Sequence, residues 1–346
     1  MKGLILAGGK GTRLRPLTVF TPKPIVPVVN KPFLLYQIEV LKQAGITDIT
    51  LSLSYQPDKI EAALNDVSDL GVNISFVTEP HPMGTGGAYR FAASAVNDTT
   101  IVFNGDILTD CDLSSLIQFH KDKKAEATIA LTPIEDPSRY GLVITDDENR
   151  VKEFLEKPKV DELNRNAVNT INAGLYILEP SILGLIPEGE NRSFEYNVFP
   201  EMLEKKVPFF AYIFTSEYWR DIGTPQSYLK AHHDTINGVL NGVRIDRSAR
   251  ADVATAATVD RVSVLGEGCV IKPSARILNS VLGPGVHVEE KAIIENSVIW
   301  SHTRVSSFAE IRNAIIGRSC HIGRNAVVGA DSVLGDKASI PDYSKV

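Results

Sequence analysis

Lys10, Arg13, Arg15 and Lys23 stand in or just after a run of glycines, Leu6-Ala7-Gly8-Gly9-Lys10-Gly11-Thr12-Arg13-Leu14. Glycines let a backbone approach a ligand closely and turn successive N–H groups toward it. Cations crowded around such a loop make it a cradle for a polyphosphate. The loop follows Gly3-Leu4-Ile5-Leu6, and a short apolar run ending in glycines reads as a buried strand feeding a tight loop. Neither common phosphate loop fits. A Walker A loop needs G-x-x-x-x-G-K followed by Ser or Thr, but Lys10 is followed by Gly11, and Leu4 stands where the first glycine belongs. A dinucleotide turn needs a third glycine for close helix packing. Leu14 occupies that place, and Pro16, Pro22, Pro24 and Pro27 break any helix that would start there. A bare G-x-G would read as an ordinary turn. Arg13 and Pro22-Lys23-Pro24 tip the reading toward phosphate.

Other segments offer complementary chemistry. Asn104-Gly105-Asp106 closes the apolar run Thr100–Phe103, where a carboxylate is as readily a cap or turn former as a ligand. With Asp221, from the far end of the same half, it would suit Mg²⁺, which takes one or two carboxylates plus substrate phosphates. Glu156-Lys157-Pro158 is either a solvated charge pair or an acceptor for hydroxyls beside a point charge for phosphate. Asn172-Ala173-Gly174 lies inside an apolar strand, where an amide needs partners. A sugar or the backbone could supply them, and Gly174 and Gly141 would let a sugar approach.

The run Gly8–Thr18 together with Pro22-Lys23-Pro24 resembles the signature of the sugar-1-phosphate nucleotidylyltransferases, the NDP-sugar pyrophosphorylases, and the resemblance continues along nearly the whole chain. It implies transfer of a nucleotidyl group from an NTP to a hexose 1-phosphate, giving NDP-hexose and pyrophosphate. It implies that Leu6, Ala7, Gly8, Gly9, Gly11, Thr12, Arg13, Glu79, Gly84 and Thr85 bind the nucleotide. Gly141, Glu156, Lys157 and Asn172 would take the sugar phosphate, and Asp106 and Asp221 the Mg²⁺. Arg13, Lys23 and Asp106 would be catalytic. Glu79, in Glu79-Pro80-His81-Pro82-Met83-Gly84-Thr85-Gly86-Gly87, falls where thymidylyl members carry Gln. A carboxylate only accepts hydrogen bonds, and guanine presents two adjacent donors, so Glu79 favours guanine. Gly86 replaces a more usual alanine and is expected to widen base or ribose tolerance. Arg220 replaces an apolar residue and would pair with Asp221 or a phosphate. The repeats near the C-terminus, Phe194–Phe199 and the segment Asp221–Pro225 most resemble mannose-1-phosphate guanylyltransferases, so GTP and mannose 1-phosphate are the expected pair, with UTP or dTTP and glucose 1-phosphate the alternative. A non-catalytic regulatory homologue is the competing class. Such chains lose the loop arginine or a metal aspartate, whereas this one keeps Arg13, Lys23, Asp106 and Asp221.

The chain that carries these residues reads as two different halves. Up to about residue 235, apolar runs at 2–6, 48–53, 73–77 and 100–104 alternate with helical spacing at 33–44, 57–65, 86–96 and 112–121. Such alternation predicts an α/β fold, Rossmann-like, with a mixed, mostly parallel sheet whose ligands bind beyond the strands' carboxyl ends. Pro225 to Leu240 reads as a closing helix capped by Thr224. The expected catalytic domain is 1–240. After it a six-residue aliphatic period takes over: Val259, Leu265, Ile271 and Ile277, then Ile293, Ile299, Val305 and Ile311, then Ile316 to Ile340. This predicts a left-handed parallel β-helix over 245–346, with a register break near 280–292. Its flat aliphatic faces invite self-association, so a homo-oligomer is expected in preference to an acyltransferase built on His287, His302 or His321.

Composition narrows the setting. A chain that is 43% apolar and 23% charged is a soluble globular protein. A net charge of −6 argues against nucleic acid as a partner. No run approaches the roughly 18 apolar residues of a membrane span, and Met1-Lys2 leads directly into the first strand, leaving no room for a signal peptide. Cys111, Cys269 and Cys320 are odd in number and far apart, so a reducing cytoplasm is expected. The histidines show no metal-ligand spacing, and His232-His233 reads as a surface pair.

Overall fold

The structure, a computed structural model, describes residues 1–65, 70–93, 98–137, 140–156, 169–215 and 217–346, with the backbone alone at residue 156. Contacts divide the chain into two compact units, one of Met1–Gly9 and Leu34–Trp219, the other of Lys10–Phe33 and Arg220–Val346.

The first unit is built on nine strands: β1 (Lys2–Leu6), β2 (Asp48–Leu53), β3 (Asn73–Thr78), β4 (Thr100–Asn104), β5 (Ala127–Pro133), β6 (Gly141–Thr145), β7 (Val151–Glu156), β8 (Thr170–Leu178) and β9 (Phe209–Ile213). Their order is β7-β6-β8-β4-β1-β2-β3, with β5 beside β8 and β9 beside β5. Strands β4, β1, β2 and β3 run parallel, while β8 is antiparallel to β4, β5 and β6. The parallel core is linked by α1 (Leu34–Gln43), α2 (Pro57–Asn65) and α3 (Gly84–Ala93), as the alternation predicts. Strand β4 is buried at Thr100–Phe103, as expected of a strand covered on both faces. Farther along, α4 (Leu113–Asp122) is capped by Asp112, whose carboxylate accepts from Ser114 N at 2.9 Å. An aromatic cluster closes one side of the core: Tyr176, Phe194 and Phe199 lie 5.2–5.5 Å apart between ring centroids, with α5 (Phe199–Glu204) carrying the last.

In the second unit, residues from Asp252 onward form three parallel sheets of six, five and five strands, a parallel β-helix. Along the middle coils each strand places one aliphatic side chain inward, above its counterpart a coil earlier. Ile271, Val288, Val305 and Ile322 form one stack, Ile277, Ile294, Ile311 and Val328 a second, and Leu282, Ile299 and Ile316 a third. The expected register break recurs: the steps Ile277 to Leu282, Ile294 to Ile299 and Ile311 to Ile316 are each one residue short of six. Ile294, not Ile293, is therefore the inward residue; Ile277 pairs with Ile294, which is fully buried. Polar ladders line these tight corners. Asn279 donates to Asn296 at 2.8 Å, and the Ser280 and Ser297 hydroxyls accept the backbone N–H of Ser297 and Ala314, each at 3.1 Å. Inside the narrow corner those N–H groups would otherwise be orphaned.

One outer face of the β-helix is also apolar and buried, at Val264, Val281, Val298 and Ile315. Within this unit the helix α6 (Pro225–Ile236) and the arm Lys10–Phe33 are tied to it. Thr224 caps α6 by accepting from Ser227 N, and the helix stops at Ile236, short of the expected Leu240, where Gly238 adopts φ 75°. His232 is not on the surface. It is 1% exposed, its ring meets Tyr228 edge-on at 4.7 Å, and Nδ1 accepts the N–H of Val29 at 3.2 Å. Val29 and Asn30, both at positive φ, turn the two-residue hairpin joining Pro27–Val28 to Lys31–Pro32. A β-branched residue rarely takes that conformation, and the buried histidine and the bond from Asn30 Nδ2 to Leu282 O at 2.9 Å hold it there.

Candidate functional site

Strand β1 delivers Leu6 and Ala7 to the carboxyl edge of the sheet, where Ala7 N donates to Ser52 O (2.8 Å) and Gly105 N to Leu6 O (3.0 Å). The loop at Gly8-Gly9 is thus flanked on one side by the ends of β2 and β3 and on the other by the turn that carries Asp106. A side chain at Gly105 would meet Leu6 O at 2.4 Å, and one at Gly8 would meet a Glu79 carboxylate oxygen at 2.9 Å, whereas the space over Gly9 is open. Glycine is required where the backbone is crossed and is left bare where a ligand can come in.

Glu79 is nearly buried. Oε1 accepts from Ser52 Oγ at 3.0 Å and Oε2 from Met83 N at 3.2 Å. Burial raises its pKa above the ordinary 4.5, opposed by these two bonds. Each oxygen keeps acceptor capacity beyond the bond it makes, so the carboxylate is held as a fixed pair of acceptors beside the glycine loop. Ser52, a buried polar residue in an apolar strand, is the part sequence reasoning missed.

Gly84 and Thr85 open α3, but their nearest partners are protein. Gly84 has φ 71°, with Arg192 O 2.6 Å from where a Cβ would be. The Thr85 hydroxyl accepts from Phe194 N at 2.8 Å and donates to Glu195 at 3.1 Å. Gly86 does not widen a ligand space: a Cβ there would lie 2.9 Å from Val198 Cγ2.

A second group lies where β4, β6 and β8 adjoin. Asn172 Nδ2 and Asn104 Nδ2 both donate to the Tyr176 hydroxyl, at 2.9 and 3.3 Å, and Asn172 Oδ1 accepts from Gly174 N at 2.9 Å. Asn172 is thus satisfied by its own strand. Gly174 at φ 71° bends β8 where its register shifts. The room above Gly174 is taken by Asn104, whose Nδ2 lies 2.9 Å from where a Cβ would be, rather than left for a sugar. Asn104 Oδ1 is buried without a hydrogen-bond partner among the described residues, an acceptor suited to a ligand hydroxyl. Gln37 Nε2 donates to Asn104 O (2.8 Å) and Ile107 O (3.0 Å), pinning both ends of the turn that carries Asp106. A glutamine on the buried face of α1 was the signal for that clamp. Gly141 is paired directly opposite Glu156 across β6 and β7. Lys157 lies outside the described residues.

The third group belongs wholly to the second unit. Gly11, at φ 61°, accepts Thr18 Oγ1 at 2.7 Å, and a Cβ on it would touch Lys23 Cβ at 2.9 Å. A single 3₁₀ turn, Thr12–Leu14, follows before Pro16. Arg13 is 63% exposed while Lys23 is 8% exposed, and both face Asp221: Arg13 Nη2 is 3.9 Å from Oδ2 and Lys23 Nζ is 4.0 Å from Oδ1. Gly223 N donates to Asp221 Oδ1 at 2.6 Å. Arg220 pairs with Asp234, through Nε at 3.0 Å and Nη2 at 2.9 Å, a partner that sequence reasoning did not name. The cations stand at the outer limit of ion pairing with the Asp221 carboxylate, whose hard oxygens are of the kind a hard divalent cation takes.

Comparison with known proteins agrees with both halves. Residues 2–238 match the nucleotidyl transferase family, and residues 244–346 match the LbH domain of EIF2B subunit epsilon, a left-handed β-helix. A mannose-1-phosphate guanylyltransferase of Mycobacterium tuberculosis is 40% identical over 286 residues, covering 79% of this chain and 77% of that protein. A probable mannose-1-phosphate guanylyltransferase 1 of Oryza sativa subsp. japonica is 40% identical over 279 residues, 79% of this chain and 75% of its own length. Among solved structures, HddC from Yersinia pseudotuberculosis, also solved in complex with GMP-PN, is 33% identical, with a TM-score of 0.59 over 68% of this chain and 99% of that one.

Proposed function

Since this chain belongs to the nucleotidyl transferase family and is a sugar-1-phosphate nucleotidylyltransferase, we propose that its substrates are GTP and mannose 1-phosphate and its products GDP-mannose and pyrophosphate. The observation that carries the nucleotide choice is Glu79, a buried carboxylate fixed by Ser52 and Met83 beside the glycine loop. It can accept from the adjacent N1–H and N2–H₂ of guanine, and a uracil or thymine offers it one donor. The names of the relatives support the sugar.

The attacking group is a phosphate oxygen, anionic at neutral pH, so no protein base is needed. The barrier is alignment and charge repulsion, which positioning and electrostatic stabilisation lower. In this reading the backbone of Leu6–Gly9, Gly11 and Thr12 cradles the nucleotide phosphates, with Gly84 and Thr85 shaping the base side. Arg13 steadies charge on the departing pyrophosphate, and Lys23, buried and close to Asp221, holds phosphate charge at the reacting end. Glu156 and Asn172, with Gly141 opposite Glu156, are assigned to the sugar and Lys157 to its phosphate. Nucleotidyltransferases of this kind generally use a divalent metal. Mg²⁺ is the ion proposed here, Asp106 and Asp221 would hold it, and when bound it would supply charge neutralisation at the α-phosphate.

The two family matches, ending at 238 and beginning at 244, support dividing the chain into a catalytic domain over 1–240 and a β-helix domain over 245–346. Three buried free cysteines support a reducing cytoplasm as its setting, and no helix of the described residues is long and apolar enough to cross a membrane. Assembly into a homo-oligomer through the β-helix is proposed on the same footing.

The test is pyrophosphate release with each of four NTPs against the 1-phosphates of mannose, glucose and N-acetylglucosamine. GTP with mannose 1-phosphate is expected to give the highest kcat/KM. A clear preference for UTP or dTTP with glucose 1-phosphate would overturn the proposal.

A further inference from the structure

The arm Lys10–Phe33 carries Arg13 and Lys23, and it packs in one compact unit with the β-helix. Its ties there are specific. Arg318 donates through Nη1 to the hydroxyl of Thr21, a residue 2% exposed and two positions from Lys23. The Arg318 guanidinium is itself held in place. Cζ lies 4.8 Å from the centre of the Trp300 ring, Nη1 is 3.9 Å from Asp336 Oδ2, and Asp336 Oδ1 accepts the Arg318 N–H at 2.8 Å. Beside it, Gly335 has no side chain where Pro16 comes within 3.0 Å of a Cβ position. On the other flank of Lys23, the Tyr228 hydroxyl donates to Pro27 O and accepts from Trp300 Nε1 at 3.1 Å. Trp300, 2% exposed, thus backs both Arg318 and Tyr228, and the two contacts grip the arm before and after Lys23. A planar guanidinium stacked on an indole loses little freedom when it makes one more bond, which makes it a stiff brace.

We propose that Arg318 is a positioning residue for nucleotidyl transfer: from the β-helix it fixes the arm, and through the arm the placement of Lys23 and Arg13. This rests on the function proposed above. It assigns the β-helix a part in turnover by each single chain, separate from any part in assembly.

The experiment uses the full chain with Arg318→Gln, Thr21→Val and the double variant, measuring pyrophosphate release, KM for GTP and mannose 1-phosphate, and thermal melting. A small misplacement of catalytic groups costs rate rather than binding. Each single variant is therefore expected to lower kcat by at least about tenfold with both KM values within about twofold. The double variant is expected to be no slower than the slower single, because both changes break one bond. Thr21→Val keeps the side chain's size, so it carries the test if Arg318→Gln fails to fold. Unchanged kcat in Thr21→Val, a loss confined to KM, or effects that multiply in the double variant would each overturn the positioning role. An unmodified chain inert on the whole substrate panel would instead overturn the function on which the role rests, so the two failures are distinguishable.

Discussion

Charge placement decides the chemistry at single residues. Arg13 is the exposed cation of the Asp221 group, and the role proposed for it is to steady charge on the departing pyrophosphate. Arg13→Ala is expected to lower kcat by about a hundredfold or more, in line with loss of one electrostatic stabiliser, with pyrophosphate release as the readout. Glu79→Gln keeps the shape of the side chain but replaces an acceptor with a donor. It is expected to lower kcat/KM for GTP by about thirtyfold, the worth of a charge-assisted bond, and to change UTP use far less; equal losses for both would remove Glu79 from base reading. His232 gives a pH signature. Burial, with a smaller push from His233, lowers its pKa from 6.5 to about 3. The folded chain therefore holds it neutral, with Nδ1 accepting from Val29. The stability this contributes is complete above pH 6.5 and drains away as pH falls from 6.5 toward 3. Urea unfolding midpoints between pH 7.5 and 4.5 should fall, and His232→Asn, which keeps an acceptor but cannot be protonated there, should flatten the slope. The phosphate loop was legible in the sequence because glycine, arginine and lysine leave a spacing. Ser52, Asn104 and Gln37 were not, because their importance lies in a neighbour far along the chain.

Elements place these residues through a few obligatory conformations. Strand β8 can carry Asn172 and Tyr176 toward Asn104 only because Gly174 takes φ 71°. An alanine there would be strained and would press on Asn104 Nδ2 at 2.9 Å. Gly174→Ala is expected to cost about 2 kcal/mol of stability, measured by urea unfolding, and to raise the KM for the sugar phosphate as Asn104 shifts. The strands β1 to β4 and helices α1 to α4 could be read from apolar periodicity, since most of them bury a continuous face. The β-helix was legible too, but its frame was not. Counting six residues back from Ile299 put Ile293 inward, whereas the short corner at Asn296-Ser297 makes that step five and the inward residue Ile294. Corner length is set by which polar groups can satisfy one another across coils, and a hydrophobic period does not encode that.

At the scale of the whole molecule, sequence order and packing order differ. The arm Lys10–Phe33 lies near the start of the chain but shares a unit with α6 and the β-helix. Hydrophobic patterning could not reveal this, since Pro16, Thr21 and Pro27 carry no periodic signal, and their partners are some two to three hundred residues away. The covered face at Val264, Val281, Val298 and Ile315 also changes the assembly argument. That aliphatic stripe is buried within one chain, so self-association must use other faces or an open coil end. A chain ending near residue 245 is expected to lose turnover as well as any assembly. Gel filtration beside an activity assay checks this, and a shortened chain that is fully active would count against the bracing role.

The partnership of Thr21 with Arg318 also has a consequence in time. During synthesis at about 5–20 residues per second, the arm leaves the ribosome roughly a quarter of a minute to a minute before its brace exists. On the proposed bracing, Lys23 would gain a fixed station only when the last coils stack. Activity should therefore appear as a late event in biogenesis, after the β-helix has closed over Trp300. A ribosome stalled early would hold a folded sheet that cannot yet turn over.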